Sequence, residues 1–303
     1  MLTIYDVAVI GIGRIGYECE KDVLRDKPAS HVGACLACPE VNFVGVADVD
    51  GAKLEAFKAE HPRVAVYRSY RELMEKEKPQ VVSVCTPVKS HAQILYDLVE
   101  YDFLRLIFME KPLAHNVDAA KEMVKVCKEN NIILMVNHTR RWSPTYRKVK
   151  EIVDSKVYGD LVRVVGYASR EKDIQGNIHM FDLLSYLTDN NRDVWIYIDC
   201  PVNYLIFELQ IILSNGKIQV LHNGRQVIVY EKKPSLHYTG INELVASETL
   251  QPYSFSEAMK NAVQNIVNCV KEKEKPYCDG NDGLRALRSY ERWRKNGKKE
   301  EDE

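Results

Sequence analysis

The 303-residue chain is 46% hydrophobic and 28% charged with a formal net charge of −1, as expected of a soluble globular protein long enough for two cored domains. That charge removes the electrostatic case for nucleic acid, and no apolar run is long enough to suggest a membrane segment. Eight cysteines without a disulfide-like framework suit a reducing cytoplasm, and no metal site is expected.

Residues 4–10 form an apolar, β-branched run that enters Gly11, Gly13 and Gly16 at the GxGxxG spacing. In such a turn the first glycine permits the bend, the second lets a pyrophosphate approach the backbone, and the third allows close packing of the next helix. The expected cofactor contacts here are Gly11, Ile12, Gly13, Arg14, Ile15 and Gly16, with the phosphates at a helix N-terminus. A second strand, 41–48, ends in Asp48. Its carboxylate is expected to accept from both hydroxyls of the adenosine ribose and to repel a 2′-phosphate, which favours NAD over NADP. Asp48 follows Gly16 by 32 residues, against roughly 20 in the usual pattern. The excess falls in 17–30 and reads either as a surface excursion or as a flap over the phosphates. Pro28 should break the first helix, and Ser30 should cap a new one through His31, Cys35 and Cys38. The CxxC then reads as helix packing rather than a redox or metal pair.

Helices at 51–61, 69–77, 89–100 and 116–130 alternate with strands at 64–67, 81–85, 104–109 and 132–136. This alternation predicts a doubly wound parallel sheet over residues 1–139, with ligands at the carboxyl ends of its strands. From residue 140 the pattern changes to a helix at 143–154, a strand at 161–168, a helix at 179–188 and then strands turning at Asn215-Gly216 and Asn223-Gly224. Residues 140–303 therefore read as an α+β domain with an open, mainly antiparallel sheet, closed by helices within 256–296.

Thr86 and Pro87 end the 81–85 strand and His91 opens the next helix, all placed to meet a cofactor. Glu110 and Lys111 end the next strand at the same rim, with Pro112 holding Lys111 extended. Asn137, His138 and Arg141 follow at the domain junction, where an arginine either holds substrate or ties the halves together. In QGNIHMFD, His179 and Asp182 share a helix face, and a histidine near its ordinary pKa of about 6.5 suits proton transfer.

GIGRIG, VAD, CTPVKSH, EKPLA, NHTRRWSP and GNIHMFD, in this order, resemble the Gfo/Idh/MocA family of oxidoreductases. The resemblance covers residues 4–188 and resumes loosely at DGLRAL, 282–287. It implies a Rossmann domain, an open sheet used in homodimers or homotetramers, and NAD(P)-dependent hydride transfer on a sugar, cyclitol or nucleotide sugar. It further implies that Lys111 lowers the substrate hydroxyl's pKa, that His179 takes the proton, that Asp182 orients substrate or helix, and that Arg141 and Asn177 contact the polyhydroxylated substrate. Gln175 stands where many members carry an aspartate, with Asp173 and Asn177 nearby, and the loop before His179 is short. A non-catalytic NAD-binding sensor and a reductase of a non-sugar imine or enone remain alternative readings.

Overall fold

The computed structural model describes residues 4–169 and 174–301. They fall into two units, Met1–Trp142 with Phe255–Leu287, and Ser143–Ser254 with Arg288–Glu303.

In the first unit, β1 (Tyr5–Ile10), β2 (Val41–Ala47), β3 (Ala65–Tyr67), β4 (Val81–Val84), β5 (Leu106–Met109) and β6 (Ile133–Val136) form one parallel sheet, ordered β3-β2-β1-β4-β5-β6. Every residue of β4 and β5 is buried, as expected of central strands covered on both faces. The strand order reverses at β1, and Ile10 pairs with both Ala47 and Val84, so three carboxyl ends lie level at the switch point. Helices α1 (His31–Leu36), α2 (Gly51–Glu60), α3 (Tyr70–Glu77), α4 (His91–Leu98) and α5 (Val117–Glu129) complete the crossovers. Asp50 caps α2 by accepting from the Ala52 and Lys53 N–H groups, and Asn116 caps α5 by accepting from Ala119.

The segment 17–30 is looped out of what would be one helix. His31 N–H donates to Ile15 O at 3.1 Å and Val32 N–H to Gly16 O at 3.1 Å. An unbroken helix would make those bonds from residues 19 and 20, so the chain re-enters the helical register twelve positions late. The same number accounts for the late Asp48. The excursion closes on itself: Glu20 Oε1 accepts from Ala29 N–H and Ser30 Oγ, and Lys27 Nζ donates to Cys19 O and Asp22 O. Ser30 caps α1 as expected, accepting from Gly33 N–H, but α1 ends at Leu36. Cys35 is therefore buried while Cys38 lies beyond the helix and only half-buried.

The second unit contains α6 (Pro144–Ser155), β7 (Leu161–Ser169), α7 (Ile174–Leu187), β8 (Trp195–Cys200), β9 (Phe207–Leu213), β10 (Gly216–Leu221), β11 (Gln226–Pro234) and β12 (Asn242–Leu250). Its sheet runs β12-β11-β10-β9-β7-β8, antiparallel except for the β7–β8 pair. One face carries Val164, Leu209, Ile211, Ile218, Val220, Val227 and Val229 into a core with α6 and α7. The turn after β10 holds His222, Asn223 and Gly224 at positive φ, the conformation that asparagine and glycine tolerate best.

Two boundaries differ from the sequence expectation. Helix α7 begins at Ile174 rather than 179. Helix α8 (Phe255–Val270), expected in the second domain, packs in the first unit against α1, β5 and the 3-10 turn Thr139–Trp142. Ser256 Oγ donates to Lys27 O, Asn261 to Trp142 O, and the Trp142 indole to Asn265 Oδ1. These polar contacts join residues more than a hundred positions apart, which helical periodicity alone does not reveal. Helix α9 (Gly280–Glu301) closes the chain.

Candidate active site

The glycine turn after β1 uses its three glycines differently. Gly11 has φ +89°, and a Cβ there would lie 2.9 Å from Cys85 C; a Cβ on Gly16 would lie 2.0 Å from Gly11 O. Both are required by the protein's own backbone. A Cβ on Gly13 would meet only Lys53 Nζ, at 3.9 Å. That open position is the one through which a ligand reaches the backbone. Among the described residues, the N–H groups of Gly13, Arg14, Ile15 and Gly16 have no protein acceptor, and successive unpaired N–H groups suit a pyrophosphate. Ile12 differs: its side chain is buried and its N–H donates to Asp48 Oδ2 at 2.8 Å, so it shapes the turn from within.

Asp48 Oδ1 accepts from Asp50 N–H at 2.9 Å. Each carboxylate oxygen thus carries one backbone hydrogen bond and keeps lone-pair capacity for a ribose hydroxyl. A cleft of about 670 Å³ opens at these strand ends, lined by Gly11, Gly13, Asp48, Lys53, Arg68, Thr86 and Pro87 among others. Its size suits a cofactor. No residue of 17–30 lines it. The surface-excursion reading is therefore the one the geometry supports, although Glu18 reaches back to pair with Lys53 Nζ at 2.8 Å.

His91 was expected to contact cofactor and does something else. It is buried, with Nε2 2.9 Å from Thr86 O and Nδ1 3.1 Å from Pro112 O and 3.2 Å from Leu113 O. Both ring nitrogens face protein carbonyls, which makes it a brace between the Thr86 and Lys111 loops. Burial lowers its pKa, against the backbone bonds that raise it.

Glu110 is likewise buried. Its Oε1 lies 2.9 Å from His31 Nε2 and accepts from Asn137 Nδ2 at 2.6 Å, while Lys111 N–H donates to Oε2 at 3.2 Å. Burial pushes the Glu110 carboxyl up, but the His31 hydrogen bond and charge, with the Lys111 charge and Asn137, hold it below the usual carboxylate range. Glu110 thus fixes the backbone that presents Lys111. Sequence reasoning read His31 only as part of a helix; its pairing with Glu110, 79 positions away, has no local signal.

Arg141 is buried with Nη1 3.0 Å from Asp282 Oδ1 and 3.3 Å from Tyr277 O, all within the first unit. It is an internal tie. In the second unit, Asn177 and Asp182 on α7 are buried and His179 is half-buried. Met180, Phe181, Leu183, Leu184 and Leu187 hold α7 in the core. Asp173 lies outside the described residues, as does the side chain of Gln175. Among the described residues, no helix is long and apolar enough to cross a membrane.

Residues 5–138 match an oxidoreductase family, GFO_IDH_MocA, with an NAD-binding Rossmann fold. Over those residues the chain is similar to the Gfo/Idh/MocA family. It is a nicotinamide-dependent oxidoreductase. The enzyme is 22% identical over 331 residues to the myo-inositol 2-dehydrogenase of Thermotoga maritima, covering 93% of this chain and 92% of that protein. Its fold matches the UDP-N-acetylglucosamine 3-dehydrogenase of Acidithiobacillus ferrooxidans with a TM-score of 0.73 at 16% identity, over 94% of this chain and 95% of that one. An Agrobacterium radiobacter oxidoreductase, solved with NAD+, L-tartaric acid and magnesium, matches with a TM-score of 0.73 at 15% identity over 94% of each chain. The matched residues include the glycine turn, Asp48, the Thr86 loop and the Glu110-Lys111 rim described above.

Proposed function

We propose that this oxidoreductase transfers hydride between nicotinamide and a carbinol or carbonyl carbon of a sugar, cyclitol or nucleotide sugar, with NAD the cofactor that Asp48 selects. The observation that carries the reading is the open Gly13 turn with its four unpaired N–H groups at the switch point of the sheet. Gly13, Arg14, Ile15 and Gly16 would hold the pyrophosphate, Asp48 the ribose hydroxyls, and Thr86 and Pro87 the rim beyond. Bound nicotinamide supplies the two-electron acceptor or donor.

The remaining chemistry is proton management and alignment. Lys111 donates a hydrogen bond to the substrate oxygen and lowers its pKa. His179 takes the hydroxyl proton in oxidation and returns it in reduction, while Asp182 orients the substrate or the helix and Asn177 contacts the substrate. Support for Lys111 comes from its place at the carboxyl end of β5, beside β4, whose own end lines the cleft. The names of the relatives, an inositol dehydrogenase and a nucleotide-sugar dehydrogenase, support the substrate class. We further propose that the enzyme works in the cytoplasm as a homodimer or homotetramer joined through the sheet of its second unit.

The test is NADH turnover at 340 nm against inositols, sugars and UDP-sugars, beside NADH binding followed by nicotinamide fluorescence. Lys111→Met and His179→Ala are each expected to reduce kcat by about 10²- to 10⁴-fold with NADH binding intact. Unchanged turnover in His179→Ala would remove the histidine from the mechanism.

A further inference from the structure

Glu110 is an ionised carboxylate inside the first unit, 5% exposed. Its Oε1 is shared by His31 Nε2 at 2.9 Å and Asn137 Nδ2 at 2.6 Å, whereas Oε2 takes the Lys111 N–H at 3.2 Å. A carboxylate so far from water needs a counter-charge as well as hydrogen bonds. The titratable groups that face it are Cys85 just after β4, His31 on α1, His91 on α4 and Lys111 beside it. Burial pushes the Cys85 thiol up and the His91 ring down, so both are neutral there. A proton on the second nitrogen of His31 would bury an Nδ1–H that meets no acceptor among the described residues. Lys111 is half-buried and still wetted by solvent, so it answers the Glu110 charge at a smaller desolvation cost.

We propose that Glu110 is a positioning residue that acts on Lys111 by charge as well as through its backbone, keeping the Lys111 ammonium protonated across the working pH range. The proposal rests on the reading of Lys111 as donor to the substrate oxygen and deepens it. The attraction is mutual: the lysine charge lowers the Glu110 carboxyl, and by the same interaction the carboxylate favours the ammonium over the free amine. Partial burial of a lysine works in the opposite direction. An ammonium donates to a substrate oxygen and cannot accept its proton. Glu110 therefore decides that Lys111 serves as donor and leaves proton acceptance to another group.

Competitive labelling of the lysines with trace acetic anhydride over about pH 7 to 11, read at Lys111 by peptide mass spectrometry, gives the titration midpoint of that amine without substrate or cofactor. Glu110→Gln keeps the size and removes the charge, and is expected to lower the Lys111 midpoint by about one unit, roughly a tenfold gain in free amine at pH 8. Glu110→Asp keeps the charge and shortens the arm, and is expected to move the midpoint by less than about half a unit. A merely structural role would make aspartate the more disruptive change. No shift in Glu110→Gln, or shifts of equal size in both variants, would overturn the proposal. Should Glu110→Gln lose the circular dichroism spectrum of the folded chain, wild type decides: a Lys111 midpoint at or above about 10 carries the proposal and one below it overturns it. Unchanged turnover in Lys111→Met would instead overturn the catalytic reading of the lysine, which the labelling does not test.

Discussion

Asp282 and Glu110 are buried carboxylates kept ionised by what surrounds them. Burial pushes the Asp282 carboxyl up, but Arg141, Arg285 and the Asp279 N–H together hold it below its ordinary value. A carboxyl depressed in the folded state contributes stability that is present above its unfolded pKa of about 3.9 and is lost as pH falls through the folded value. Asp282→Asn should therefore cost about 3 kcal/mol at neutral pH, because Arg141 and Arg285 lose the carboxylate they share. The gap from wild type should narrow as pH drops below about 4. Urea midpoints at pH 7 and pH 3.5 check this, and a gap that stays constant would show that the pair contributes no acid-sensitive stability. Of the residues singled out in sequence, Gly11, Gly13, Gly16 and Asp48 were legible in their placement because backbone geometry fixes it. The buried partners of His91 and Arg141, Pro112 O and Asp282, come from other elements and leave no local signal.

At the scale of elements, the first helix of the Rossmann unit is the informative case. Hydrogen bonds from His31 and Val32 to Ile15 and Gly16 carry its register across the excursion. Joining Glu18 directly to His31, without residues 19–30, should restore a continuous helix from the glycine turn to Leu36. The shortened enzyme is expected to fold and to bind NADH within about threefold of the full chain, since the loop closes on itself and does not line the cleft. Loss of NADH binding in a shortened chain with an intact circular dichroism spectrum would show that the excursion supports the phosphate site. The strands of the parallel sheet were legible from their unbroken apolar runs. The start of α7 was not, because Gly176, a poor helix former, falls within its first turn.

At the scale of the whole molecule, the sheet of the second unit leaves a face on which Ile196, Val165, Gln210, Gln219 and Ile228 run side by side across five strands, with Ile196 and Ile212 exposed. If this face joins subunits, Ile196→Lys with Ile212→Lys should convert a dimer or tetramer to a monomer by light scattering, with the circular dichroism spectrum unchanged. An unaltered mass would place the interface elsewhere. By itself the sequence determined the parallel sheet, the glycine turn, the acidic end of β2 and the antiparallel hairpins, because each rests on periodicity, turn chemistry or spacing within a short window. Only the tertiary structure decided that α8 belongs with the first unit, that His31 holds Glu110, and that His91 is a brace. Those facts depend on residues brought together from distant positions, and burial and hydrogen-bond satisfaction select such partners only once the chain is packed.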